Sequence, residues 1–183
     1  MSTRRAFVAG AALAVVAKRP GTARAEVRGD ALVLEAAVRL EQTSVFAYDA
    51  LLRGGGFDGD LAETLGTLRD HEQAHADALA AALEALGGPR PAAPETGEQA
   101  DAALEELGIP YGLDATGDAA LELLLALGLR QVELYTRAAG ELEDVRLIQT
   151  VASIVAAEGQ HLVVIRAALG RATVPTPLEP GGA

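Results

Sequence analysis

Two stretches, Leu68-Arg69-Asp70-His71-Glu72-Gln73-Ala74-His75-Ala76-Asp77-Ala78-Leu79 and Ile154-Val155-Ala156-Ala157-Glu158-Gly159-Gln160-His161-Leu162-Val163-Val164-Ile165, share one pattern. In each, an apolar stripe advancing by three and four residues runs into Glu-x-x-His and out again. The stripes are Leu61, Leu65, Leu68, Glu72, His75, Leu79, Leu83, Leu86 and Leu147, Val151, Ile154, Glu158, His161, Ile165, Ala168. Such steps keep residues on one face of an α-helix. The Glu and the His of each motif, three positions apart, share that face. A third stripe, Leu34, Val38, Glu41, Val45, Tyr48, Leu52, also breaks on a carboxylate, 31 residues before Glu72. That separation brings Glu41 level with Glu72 across an antiparallel helical hairpin. A lone buried carboxylate is costly unless paired, and three in one core repel one another. A cation at the centre removes both penalties, so Glu41, Glu72, His75, Glu158 and His161 read as metal ligands. The alternative is a bundle that keeps these polar positions without a metal.

Working outward, the chain divides into two similar halves and a connector. Helices are expected at 30–52, 59–86, 118–142 and 144–169. Gly54-Gly55-Gly56, Gly87-Gly88-Pro89 and Gly170 stop the first, second and fourth. The first pair and the last pair have short connections, which predicts antiparallel hairpins. The connector at 89–117 is rich in Pro, Ala and Gly, with a short helix expected near 101–107. It is long enough to run the length of a helix and cross the bundle. The expected fold is all-α: a four-helix bundle with one long crossover between the second and third helices.

At this point the chain resembles the ferritin-like superfamily of di-metal carboxylate bundles, in particular its exported branch. The resemblance covers about 30–170 and rests on Glu41, Glu72-x-x-His75 and Glu158-x-x-His161, in order and on core faces. It implies metal ions as partners, iron or manganese as cofactor at one or two ions per chain, with zinc possible. The ligand chemistry suits all three, and geometry chooses among them. It also implies oxidase or iron-handling activity, against the alternative of a non-catalytic exported bundle for envelope binding or stress protection.

The internal repeat exposes a gap in the ligand set. Glu41 precedes Tyr48 by seven residues, and Gly128 precedes Tyr135 by seven. Gly128 stands 30 residues before Glu158, so the repeat predicts a glutamate where the chain has glycine. The third stripe is Leu121, Leu124, Gly128, Gln131, Tyr135, Ala138, Leu142. Gln131 lies on the core face and could offer a neutral oxygen as a weak ligand. Glu133 is about 140° round the helix from Gly128 and is expected to face solvent. Five strong ligands favour one tightly held metal or an asymmetric pair, with an open gap at Gly128. Tyr48 and Tyr135 read as core packing or as phenols hydrogen-bonded to ligand carboxylates. His71-Glu72-Gln73-Ala74-His75 also spells the His-Glu-x-x-His signature of zinc metalloproteases. That scheme leaves Glu158-x-x-His161 without a role and places His71 beside the stripe, as a partly exposed neighbour.

Composition bounds the rest. Of 183 residues half are hydrophobic, enough for one domain with a sizeable core. The absence of cysteine excludes disulfides and thiolate metal sites. A formal charge of -11 argues against nucleic acid or an anionic membrane as partner. Residues 1–25 read as an export signal: Arg4-Arg5, an apolar run at 6–17, then Ala23-Arg24-Ala25 before the cut. The run is too short to span a bilayer, so no membrane span is expected once the signal is removed. The paired arginines resemble a twin-arginine signal, which makes that export machinery a partner and the periplasm, envelope or exterior the destination. The ferritin-like domain is then 26–170, followed by a flexible Pro/Gly tail at 171–183.

Overall fold

The computed structural model describes residues 20–54, 56–110 and 112–176. The paired arginines, the apolar run at 6–17 and the tail beyond Thr176 lie outside the described residues. Five helices follow in order: α1 (Pro20–Gly54), α2 (Gly59–Ala85), α3 (Gly97–Glu106), α4 (Asp118–Glu141) and α5 (Val145–Ala168). No strand occurs among the described residues.

Two boundaries differ from the sequence expectation. α1 begins at Pro20, ten residues before the expected start at Asp30. Proline is well suited to the first helical position, where no N–H partner is needed. The helix therefore runs through Ala23-Arg24-Ala25. α3 begins at Gly97 rather than near 101 because Thr96 caps it, its hydroxyl accepting from the Gln99 amide at 3.3 Å. The Gln99 side chain reaches back to accept from the Glu95 N–H at 2.7 Å, a variant of the capping box. The stop after α2 falls as expected. Gly87 takes φ +83°, and the Gly87 and Gly88 amides bond back to Glu84 and Leu83 carbonyls at 2.9 and 3.0 Å. This closing pair needs a left-handed residue, which glycine adopts without strain.

The four long helices pack α1 on α2, α2 on α5, α5 on α4 and α4 on α1, a closed ring around one core. Asp30, near the start of that core on α1, fixes the directions. Its buried carboxylate accepts from the backbone amides of Glu143 and Asp144, at 2.8 and 3.1 Å, in the α4–α5 turn. The end of α4 thus meets the beginning of the packed part of α1, so those two helices run antiparallel. The crossover lies along α1, where Gln42 donates to the Pro91 carbonyl at 3.0 Å and α3 packs. Fully buried leucines such as Leu34, Leu65, Leu79, Leu124 and Leu127 fill the ring. Each contributes about 1.5–3 kcal/mol by leaving water. α5 is long and apolar enough by composition to cross a membrane. Its Glu158 and His161 are instead turned into the bundle.

Candidate metal centre

The leucine layers are interrupted at one level by carboxylates from three helices. Glu41, Glu72 and Glu158 are each 0% exposed, and His161 is buried. Ligand-type atoms of Glu41, Glu72, His75 and Glu158 all lie within 4.8 Å of one another. Bonds of about 2.0–2.2 Å to one ion span such a cluster after small inward shifts. His75 Nδ1 lies 3.1 Å from Glu158 Oε1 and 4.0 Å from Glu41 Oε2. His161 Nδ1 lies 3.0 Å from Glu72 Oε1 and 3.3 Å from Glu158 Oε2. All five strong candidates from α1, α2 and α5 therefore meet at mid-bundle.

α4 contributes donors. The Gln131 amide nitrogen donates to Glu41 Oε2 at 3.2 Å and to Glu72 Oε2 at 2.6 Å. Gln131 lies at the site on the core face of α4, with its NH2 group rather than its carbonyl toward the carboxylates. The Tyr135 phenol donates to Glu41 Oε1. Of the two roles open to this tyrosine, the structure shows the hydrogen-bonding one. Tyr48 is buried in the core. Glu133 pairs with Arg130 and Arg137 on the outer side of α4, as its angle predicts.

The charges do not balance within the protein alone. Burial, then the negative charge of Glu72, pushes the Glu41 carboxyl well above the usual carboxylate range. Burial also opposes ionisation of Glu72, but bonds to His161, Glu41 and Gln131 outweigh it and leave that carboxyl below its usual range. His161 is pushed up to about 9: burial disfavours its charge, and the adjoining Glu158 and Glu72 outweigh that. Burial and the neighbouring carboxylates raise both Tyr48 and Tyr135, keeping the phenols protonated. Glu158 is the exception in this network. Neither of its buried oxygens makes a hydrogen bond, and His75 Nδ1 is also without one. The imidazole nitrogens are near enough but do not point correctly. Orphaned carboxylate oxygens in a dry core are costly, and they are the atoms a cation would satisfy.

One feature corrects the sequence reading, at Gly128, and another, at His71, extends it. Gly128 leaves no open gap: a Cβ built there would stand 2.9 Å from Leu162 Cδ2, because the leucine fills the space. His71 is exposed yet closely engaged, its Nδ1 3.1 Å from His161 Nε2 and the two rings stacked at 5.3 Å. With His161 protonated, its Nδ1–H serves Glu72 and its Nε2–H donates to His71. The stripe alone could not show this contact, which depends on how α5 registers against α2. Glu72 is fully buried between Gln131 and His161. It is not placed as the free base that a zinc protease requires.

A ring of four antiparallel helices with a buried Glu/His cluster at its centre defines a bundle protein able to hold a metal ion. Residues 29–171 match the ferritin-like domain family, and the chain belongs to it. Searches of curated proteins and of solved structures give no match.

Proposed function

We propose that this chain is an exported ferritin-like protein that binds iron or manganese among Glu41, Glu72, His75, Glu158 and His161. Zinc is the redox-silent alternative. The observation that carries the reading is Glu158, whose two buried oxygens lack hydrogen bonds at the point where four potential ligands converge. Bound iron or manganese would supply electron exchange with oxygen or peroxide. The chain's own part is to fix the ligands: Gln131 and Tyr135 orient Glu41 and Glu72, while the leucine layers exclude water. A second reading, a non-catalytic bundle with a degenerate site, draws on the lost glutamate at Gly128 and its closure by Leu162.

Elemental analysis of the folded protein, with metal counted per chain, tests the proposal. Its pH dependence adds a second check. The raised His161 stabilises the metal-free fold fully below its ordinary 6.5, and that stability is lost as pH rises through about 9. A ligand imidazole must instead shed its proton. Raising the pH from 6.5 to 9 should therefore lower the melting temperature of metal-free protein and tighten metal binding. A chain that takes up no iron, manganese or zinc at any pH in this window defeats the metal proposal.

Export belongs to the same proposal and rests on Arg4-Arg5, the apolar run and Ala23-Arg24-Ala25. Replacing Arg4 and Arg5 with lysine should retain the chain in the cytoplasm, as read by fractionation. Unchanged export of the double variant rules out the twin-arginine route.

A further inference from the structure

The His-Glu-x-x-His motif leaves His71 without a place in the ligand set, although the structure gives it a defined position. A cleft of about 570 Å³ opens on the seam between α2 and α5. All three histidines of the chain, His71, His75 and His161, line it. Ala74 and Ala157 line it with short side chains that leave it unfilled. Thr64, Thr67 and Gln160 make its rim polar, and among the described residues its lining includes no arginine or lysine. Three other surface cavities touch none of the five candidate ligands. One of these lies against Tyr135 and is otherwise mostly apolar, and another carries Arg90.

The carboxylates themselves cannot meet a hydrated ion at the surface, since all three are fully buried. Imidazole can. His71 is exposed, and the His75 side chain retains 14% exposure. His71 Nδ1 and His161 Nε2 face each other at 3.1 Å. Two nitrogens on one ion, each bonded at about 2.0–2.1 Å, stand only slightly farther apart than this. The His161 and His75 rings stack in turn at 6.0 Å, and His75 Nδ1 faces Glu158. The three rings thus form a ladder of nitrogen donors from solvent to the orphaned carboxylate.

We infer that the α2–α5 cleft is the route by which a divalent cation reaches the core, with His71 as its first protein ligand. The inference rests on the metal-binding reading above and adds to it a path and a residue. His71 captures the ion with His161 at the floor of the cleft. The ion then passes to His75 and Glu158, where the carboxylates hold it more strongly. His71 governs the rate of loading, and the inner ligands govern how much metal is retained.

The test is stopped-flow loading of metal-free protein with cobalt(II), whose visible absorption reports its coordination. His71→Ala should slow loading by about tenfold, the lower end of what losing an outer partner costs a metal site, and reach the same final metal content. Ala157→Leu, which fills the cleft and replaces none of the candidate ligands, should slow loading as well. Wild-type rates in both variants overturn the route. Loss of final metal content in His71→Ala also overturns it, because His71 would then be a permanent ligand. A wild-type chain that takes no cobalt and no other divalent ion overturns the metal-binding reading itself, a result distinct from unchanged rates.

Discussion

Glu158→Leu will raise the melting temperature of the metal-free protein and abolish metal binding. Most buried substitutions destabilise, so the sign is the informative part. Glu158 is 0% exposed and has no hydrogen bond at either oxygen. Its removal takes one buried negative charge out of the cluster and leaves Glu72 its contact with His161 at 3.0 Å and its bond from Gln131. Leucine is close to glutamate in volume and continues the stripe of Ile154 and Ile165. Replacing buried ionic groups with apolar ones of similar size stabilises by about 1–4 kcal/mol in favourable cases. At roughly 2–4 °C per kcal/mol for a chain of this size, the shift is easily read by calorimetry. Saturating metal should reverse the ranking. An ion at about 1,000 times its dissociation constant adds about 4 kcal/mol to the wild type, and nothing to the variant. If Glu158→Leu is less stable than the wild type with metal absent, the carboxylate is a structural partner and not a waiting ligand.

That sign reversal shows what kind of information the sequence holds. The fold was legible because Leu61 to Leu86 and Leu147 to Ala168 are phased for a helix over many turns, and glycine marks their ends. The candidate ligands were legible because Glu72, His75, Glu158 and His161 interrupt stripes that are otherwise apolar. Features internal to one helix could therefore be read. The start of α1 could not be, since no stripe extends from Asp30 back to Pro20. The start of α3 was legible in principle, in Thr96-Gly97-Glu98-Gln99, although the apolar spacing pointed further along. Contacts between helices were the real limit. Periodicity places Gln131 and Gly128 on the core face of α4 but does not say which amide group faces Glu41, or that Leu162 fills the space beside Gly128. The His71–His161 contact is of the same kind, set by the register of α2 against α5.

The largest expected gain in metal content comes from restoring the glutamate that the internal repeat lacks, and the structure sets its condition. Glycine inside a helix costs about 1 kcal/mol relative to alanine, so Gly128 weakens α4. Any side chain placed there meets Leu162, which is 0% exposed, at 2.9 Å from the new Cβ. Gly128→Glu alone should therefore overpack the core, costing about 1–3 kcal/mol, and its carboxylate cannot settle at the site until the leucine moves. Gly128→Glu with Leu162→Ala removes the obstruction. Charge explains the expected outcome. Two divalent ions against the three carboxylates of Glu41, Glu72 and Glu158 leave an excess positive charge in a dry core, whereas a fourth carboxylate cancels it. The wild type should hold about one tightly bound ion per chain and the double variant about two, the complement that four glutamates and two histidines hold in di-metal bundles of this topology. Leu162→Ala alone separates space from charge, since it makes room without adding a ligand and should stay near one ion. Two ions of equal affinity in the wild type, counted by titration and elemental analysis, would show that Gln131 or another group already completes the site.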